Sequence, residues 1–459
     1  MSFIRKIKKG KNIYLALVEN KWVNGKVIQR VIKYIGKEIK GKIIRRVRTD
    51  EVQVKAVKQY ADVLVIHKLA RMLDLERLLG EQGKLILAFV YSHLLERPSI
   101  RKLEEWFYHT EIPALLGLGE ISTSKLYETL SELSERDFSQ LEAEIYSRLK
   151  GYERSESSAI IDVTDTYFEG NSLDGKLRRG KDGKYRHLIQ IGLGVTECYG
   201  FPIMMQIYPG NVSNLMIFKD LSVRLQERGF KSLIIDRGMG SEENIKDILR
   251  AKMRVISGLK RTPYLKRRFL EKISREEIYS INNRVKLKNT SVYIKWFSYL
   301  GGDLIVVYNP HLESVRRELV YERKGSDEEA RYVGYSFIYH NTMFSPDEVV
   351  RKYYEKEIVD RAFKKLKGIL SLRPVRVWLK EHIEGHVKVC YLSYALLSLL
   401  EYHLKNFDLS ALELLEKLKR GYKVYLKDAK TDFSWETTVV LEKKLYKILN
   451  YLDLVYKKG

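Results

Sequence analysis

The chain has only two cysteines, Cys198 and Cys390, in 459 residues, too few for a disulfide framework or a cysteine-rich zinc centre. It also lacks a long hydrophobic run: the most apolar stretch, Val389 to Leu400, falls short of the roughly 20 residues that cross a bilayer. The opening residues, MSFIRKIKKGKN, are basic without the apolar segment of a secretory signal, so a cytoplasmic location is expected. Neither an internal repeat nor a long linker is visible. Negative charge is in deficit, with 59 Asp and Glu against 83 Lys and Arg, a formal net charge of +24. What is plentiful is apolar surface, 45% hydrophobic and 11% aromatic residues, which excludes a disordered or low-complexity chain. At roughly 150 residues per domain the length predicts two to four domains. A basic excess of this size points to a polyanionic partner, nucleic acid first.

The charge is uneven. Residues 1–50 carry 15 Lys and Arg, including Lys8, Lys9, Arg45 and Arg46, against Glu19, Glu38 and Asp50, a net +12. Within them, IYLALVENKWVNGKVIQRVIKYIG places β-branched and aromatic residues on both sides of Asn24-Gly25, the strongest short hairpin signal. A basic β-ribbon over residues 1–50 is expected to touch DNA. A helical region is expected over 51–155, where apolar residues recur at three and four. Its segment IPALLGLGEISTSKLYETLSEL reads as a helix pair capped by Ser122 or Ser124, with Ser124, Lys125 and Tyr127 at a recognition end.

From Ser157 the pattern becomes strand-rich. AIIDVTDTYFE, HLIQIGLGVTE and FPIMMQIYPG predict three antiparallel strands. A helix capped by Ser213 or Asn214 follows, then the strands SLIIDRGM and RVISGLK, separated by the helix SEENIKDILRA. This β-β-β-α-β-α-β order is that of a ribonuclease-H-like mixed sheet, expected over 156–261 and 342–405 with a β-rich insertion at 262–341. A C-terminal helical region is expected over 406–459. The loop after the first strand carries Arg178, Arg179, Lys181, Lys184 and Arg186, a basic segment suited to DNA.

Two carboxylates sit where burial is expected: Asp162 within AIIDVTD and Asp236 at the end of SLIIDRGM. A buried carboxylate is costly unless it is paired or binds metal, and two such strand positions predict one shared site. The segment FSPDEVVRKYYEKEIVDRAFKKLKGIL predicts a helix with Ser345 as N-cap, Pro346 at its first position and Glu348 three residues after the cap. At roughly 100° per residue, Tyr353, Lys356, Asp360 and Lys367 fall near 0°, 300°, 340° and 320°, one polar stripe. Ile358, Val359, Ala362, Phe363 and Leu366 lie on the opposite face.

The spacing Tyr353-x2-Lys356-x3-Asp360-x6-Lys367 resembles the Tyr-x2-Arg-x3-Glu-x6-Lys signature of cut-and-paste DDE transposases of prokaryotic insertion sequences. DVTDTYFE at 162–169, YPGNVSN at 208–214, IIDRGMGSEENI at 234–245, and SLRPVRVW and HIEGHV beyond the helix resemble further segments of that family, in the same order. The resemblance implies an endonuclease and strand-transfer enzyme acting on terminal inverted repeats. It also implies two Mg²⁺ ions, with Mn²⁺ as a substitute, held by Asp162 between them and by Asp236 and Asp360 singly. Lys356 and Lys367 would hold DNA phosphates and Tyr353 a phosphate or base, with Arg237 positioning phosphate. The implied partners are double-stranded DNA, as transposon ends and target, and a second copy in a DNA-bound homodimer, at the nucleoid.

Asp360 departs from the family's Glu by one methylene, and Glu357, one turn earlier, is the fallback ligand. That departure keeps open a DNA-binding descendant acting as a repressor. A ribonuclease-H-like nuclease without transposition is a further alternative. His382 and His386 have a zinc-compatible i, i+4 spacing, but no third ligand is evident nearby; His386 is alternatively expected near the mouth of the active site. The stripe Tyr391, Tyr394, Leu397 and Leu400 is expected in the core.

Overall fold

The computed structural model describes every residue except 1, 11, 40–41, 46–48, 154–157, 168–175, 180–184, 289, 371, 373–378, 431–432 and 457–459. By its contacts the chain forms two units: Met1–Val65, Glu105–Leu115 and Leu412–Gly459 make one, and Ile66–Glu104 with Leu116–Ala411 the other.

The chain opens with β1 (Ser2–Lys9), β2 (Asn12–Val23), β3 (Lys26–Ile39) and β4 (Lys42–Arg45), an antiparallel sheet in that order. Asn24 (φ 51°) and Gly25 (φ 78°) form the tip between β2 and β3. Two consecutive positive φ values are the mark of a type I′ turn, which Asn-Gly adopts at least cost. Next comes β5 (Val52–Gln59), a strand where helix was expected. VQVKAVKQ alternates apolar and polar with a period of two, and that short signal outweighs the helical pattern following it. Helices α1 (Ala61–Met72), α2 (Leu75–Leu79), α3 (Gly83–Leu94), α4 (Ile100–Tyr108), α5 (Ile112–Leu116), α6 (Thr123–Glu135) and α7 (Phe138–Lys150) follow. Ser122 is the cap of α6, accepting from the Lys125 amide. Lys388 donates to the carbonyls of Leu133, Ser134 and Arg136 at the other end of that helix, where a cation suits both the orphan carbonyls and the dipole.

The large unit is built on a mixed sheet. Strands β6 (Ala159–Tyr167), β7 (Lys176–Arg179), β8 (Tyr185–Thr196) and β9 (Pro202–Pro209) are antiparallel neighbours, with β6, β7 and β9 all pairing with β8. After α8 (Asn214–Glu227), capped by Ser213, β10 (Ser232–Ile235) pairs parallel to β6. After α9 (Glu242–Arg250), β11 (Arg254–Leu259) pairs parallel to β10. The path β9-β8-β6-β10-β11, antiparallel and then parallel, is the ribonuclease-H-like order. Its apolar alternation is complete on one face: Ala159, Ile161 and Val163 of β6 and Leu233 and Ile235 of β10 are buried with Ile217, Leu221, Ile245 and Ile248 of α8 and α9. Each of the Val, Leu and Ile side chains among them contributes about 1.5–3 kcal/mol by leaving water.

Short helices α10 (Pro263–Leu265) and α11 (Arg275–Ile278) lead into β12 (Arg284–Lys286), β13 (Ser291–Tyr299) and β14 (Gly302–Tyr308). Then come α12 (Pro310–Glu322), α13 (Asp327–Arg331) and β15 (Tyr335–His340). The strand-rich block extends the core sheet: β15 pairs antiparallel with β11 and continues through β14 and β13 to β12, completing ten strands. Helices α14 (Pro346–Glu355) and α15 (Glu357–Lys364) follow, then a π-helical turn, Lys365–Ile369. Ser345, Pro346 and Glu348 form the expected capping box. Helix α16 (Lys380–Leu404) buries Tyr391, Tyr394, Leu397 and Leu400, as the stripe predicted.

Past α17 (Ala411–Leu418), the strands β16 (Tyr422–Asp428) and β17 (Ser434–Thr438) stand where only helix was expected, before α18 (Lys443–Tyr451). Strand β16 pairs with both β17 and β5, so the smaller unit joins residues 52–59 and 422–438 in one three-stranded sheet. Its buried Glu51 and Asp428 receive Lys33 of β3, and Glu51 also pairs with Lys430 at 2.8 Å. No helix among the described residues is long and apolar enough to cross a membrane.

Candidate active site

The sheet register brings Asp162 and Asp236 together. Strands β6 and β10 pair Ala159 with Leu233, Ile160 with Ile234 and Ile161 with Ile235, so Asp236, one residue past the last pair, is level with Asp162 on the adjacent strand. Parallel neighbours run about 4.8 Å apart, and successive side chains alternate in face. With Ile161 and Ile235 committed to the α8–α9 core, the alternation turns Asp162 and Asp236 to the other face. Helix α15 packs against β6 and β8, and Thr166, in phase with Asp162, donates to the Leu372 carbonyl at 2.7 Å just beyond the π-helical turn. The helix carrying Asp360 thus covers the face on which the two strand acids lie.

Asp162 is half-buried and accepts from the Val163 amide at 2.7 Å. Asp236 ends β10 in a turn whose carbonyl accepts from Met239 and Gly240. Burial opposes its ionisation, but the Lys356 ammonium on its Oδ1 and the amides of Arg237 and Gly238 outweigh burial and hold its carboxyl below the usual value. Asp360 and Glu357 are exposed on α15, whose buried side is Val359, Ala362 and Phe363. The oxygens of the three aspartates do not form a group within 4.8 Å of one another, and among the described residues the one such group of three lies elsewhere.

The helix expected to be continuous tightens at Lys356. The Lys356 amide bonds back to Tyr353 and the Val359 amide to Lys356, an i→i−3 pattern of 3₁₀ type. The single polar stripe therefore divides: Lys356 reaches across to Asp236, and Lys367, in the π-helical turn, lies with its ammonium 6.0 Å from the Phe363 ring. Tyr353 is drawn inward. A Cβ placed on Gly258 of β11 would lie 2.1 Å from its hydroxyl, so glycine there makes room for the ring. Burial and then Asp236 push the Tyr353 hydroxyl well above its ordinary value, so it stays protonated.

Arg237 is exposed beside Asp236. The Arg261 guanidinium, just past β11, is pushed down by burial and by the neighbouring charges of Arg237 and Arg316, a concentration of cations that includes the residue next to Asp236. Arg178 and Arg179 belong to strand β7 rather than to the loop expected there, in register with Arg186 and Tyr185; Lys181 and Lys184 lie outside the described residues, as do Arg46 and most of SLRPVRVW. Lys8 and Lys9 are exposed on β1, and Arg45 ends β4. Ser124 and Lys125 are exposed on α6, whereas the Tyr127 ring lies 5.1 Å from that of His382.

Sequence reasoning missed Arg261 and Arg316, and it missed the Lys352–Glu197 pair at 2.6 Å that ties α14 to the turn after β8. The Lys352–Glu197 pair has no sequence signal, because its members are 155 residues apart.

The carboxylate set suits a hard divalent cation, since such ions favour oxygen ligands. Asp236 already attracts a cation, and the Lys356 ammonium is a stand-in for one.

A family model described as "Transposase DDE domain" matches residues 153–396, more than half of the chain and inclusive of all three aspartates. Among solved structures, the chain is similar to a piggyBac transposase in a synaptic complex with hairpin DNA, at 11% identity and a TM-score of 0.43, covering 78% of this chain and 77% of that one. No curated protein matches it significantly.

Proposed function

Because the chain belongs to the transposase DDE-domain family, we propose that Asp162, Asp236 and Asp360 are the acids with which it cuts and joins DNA, Glu357 standing by as the alternative third ligand. The chain is a DNA-cleaving transposase, and enzymes of this family use divalent metal ions. The observation that supports this assignment is the register of β6 and β10, which sets Asp162 level with Asp236 under the helix bearing Asp360.

Two Mg²⁺ ions, or Mn²⁺, held by these acids would supply charge neutralisation at the phosphoryl group and activation of the attacking oxygen. The protein's own residues then have separate roles. Asp236 stays ionised and, with Asp162, receives cations; Lys356 occupies Asp236 until then and afterwards is free to take a DNA phosphate. Arg237 and Lys367, with Arg261 and Arg316 behind, draw the phosphate backbone toward the carboxylates. Tyr353, protonated and packed on Gly258, holds α14 against β11 and can donate to a phosphate oxygen. Excision and strand transfer would use this same site.

The basic ribbon, with Lys8, Lys9 and Arg45, would grip the terminal inverted repeats, and Arg178 and Arg179 on β7 would contact DNA nearer the acids. A homodimer would hold two ends, as part of a prokaryotic insertion sequence whose product works at the nucleoid.

The test is cleavage of repeat-ended DNA by the full chain with Mg²⁺. Asp162→Asn and Asp236→Asn should each abolish cutting while leaving a gel shift intact; cutting that survives either substitution refutes the site. Asp360→Asn should reduce cutting by at least about 10²-fold, and Glu357→Gln should not; the reverse result moves the third ligand to Glu357. A gel shift with no cutting by the unsubstituted chain under any divalent metal would identify a repressor instead.

A further inference from the structure

Apart from the three aspartates, one cluster joins two helices of the large unit. His386 and Cys390 are one turn apart on α16, and His93 reaches them from α3, which packs against it. His93 Nε2 lies 3.4 Å from His386 Nδ1, Cys390 Sγ lies 3.7 Å from His386 Nε2, and one ligand atom from each residue falls within 4.8 Å of the others. His382, the other member of the pair expected from sequence, is turned toward Tyr127 instead.

We propose that His93, His386 and Cys390 form a second metal site, for a borderline-soft divalent cation of the Zn²⁺ type, distinct from the carboxylate site. Two features favour a ligand set over simple packing. First, the separation of the two ring nitrogens is close to the ligand–ligand distance of about 3.3 Å that a tetrahedral ion requires with bonds of about 2.0–2.1 Å. Second, His93 is already oriented as a ligand, because its Nδ1–H donates to the Phe89 carbonyl at 3.0 Å. That bond fixes the tautomer whose Nε2 lone pair points at the cluster, the backbone support found behind metal-bound histidines.

Without an ion the same groups are satisfied as a relay. The Cys390 thiol has both His386 Nε2 and the Leu370 carbonyl, the latter at 3.2 Å, within reach, and His386 Nδ1–H can donate to His93 Nε2. Metal binding replaces that relay. The thiol proton leaves to solvent, the sulfur becomes a thiolate ligand, and the His386 ring turns to present one nitrogen to the ion that His93 Nε2 also binds. A thiolate and two imidazoles select Zn²⁺ or Co²⁺ over Mg²⁺, so this site and the carboxylates do not compete for the same ion. Its effect is to clamp α3 to α16.

The test uses Co²⁺ as a probe on the full chain carrying Asp162→Asn and Asp236→Asn, which removes the carboxylate site from the titration. One equivalent of Co²⁺ should produce a thiolate-to-cobalt charge-transfer band in the near ultraviolet, bleached by Zn²⁺. Cys390→Ser should abolish the band, and His93→Gln should weaken Co²⁺ binding at least tenfold. Absence of the band in the chain with both cysteines overturns the proposal whatever the variants do. A band that persists in Cys390→Ser and disappears in Cys198→Ser also overturns it, by assigning the thiolate to exposed Cys198. Neither outcome bears on cleavage by the three acids.

Discussion

Replacing Lys356 with Met keeps the length and packing of the side chain and removes its charge, and the consequences can be worked out from the geometry. Lys356 is bonded to a carboxylate whose side chain is 45% exposed, so solvent screens much of the attraction. The pair is therefore expected to contribute about 1 kcal/mol, near the upper end for a partly exposed ion pair. The larger effect is on metal affinity. A unit charge about 4 Å from a divalent ion repels it by about 2 kcal/mol in a fully water-like dielectric, and Lys356 relieves most of that by swinging away. A tenfold tightening of Mn²⁺ binding, about 1.4 kcal/mol, is the expected net gain for Lys356→Met.

The pH response of Lys356→Met should also move upward. In the native chain the Asp236 carboxyl is held below its ordinary 3.8. Its contribution to stability is thus complete above the unfolded-state value and is lost as pH falls through the lower folded-state value. Without Lys356, the burial that opposes ionisation loses its main counterweight, the folded-state value rises, and Mn²⁺ binding weakens at a higher pH than in the native chain. Mn²⁺ titration by electron paramagnetic resonance between pH 4 and 8 measures both effects. Unchanged or weaker binding at pH 8 would show that Lys356 does not compete with metal at Asp236.

Further substitutions probe the packing and the ribbon. Gly258→Ala would place a methyl against the Tyr353 hydroxyl and should cost about 1–3 kcal/mol in thermal unfolding, with partial rescue by Tyr353→Phe; no rescue would mean that the clash lies elsewhere. Glu142 is fully buried, paired with Arg228 at 2.7 Å and accepting from the Met205 amide. Arg228→Met alone should cost about 3–5 kcal/mol by stranding that charge, while pairing it with Glu142→Leu should recover most of the loss; denaturant unfolding distinguishes the two. Lys8→Ala and Lys9→Ala should each lower the slope of log K against log salt for end binding by up to about 0.9, and unchanged slopes would place the DNA on another face of the ribbon.

What could be read from residues alone was whatever a short window determines. The Asn24-Gly25 turn, the Ser345–Glu348 cap, Asp162 within β6 and Asp236 just past β10 are local in origin and stand on the elements expected of them. Strand β5 was missed because its short period-two signal runs straight into a helical pattern, and its pairing with β16 spans more than 360 residues, which no window covers. The polar stripe of the third-acid helix assumed constant 3.6-residue geometry, whereas Lys356 takes a tighter turn and the following π-helical turn resets the phase of Lys367. The i, i+4 spacing of His382 and His386 did not reveal what lies beside His386. Cys390 lies one turn beyond it and His93 comes from another helix, so only tertiary packing joins the three.

The three-stranded sheet of β5, β16 and β17 has a consequence in time. Residues 52–59 and 422–438 must both exist before it can close, and at about 5–20 residues per second the ribosome takes roughly 20–70 s to travel between them. During that interval the strands and helices of the large unit have emerged, while β5 waits with an unpaired edge and Lys33 lacks the Asp428 it will pair with. The sheet to which Lys33 of the basic ribbon is tied through Glu51 and Asp428 is thus completed only after the strands of the large unit have been made.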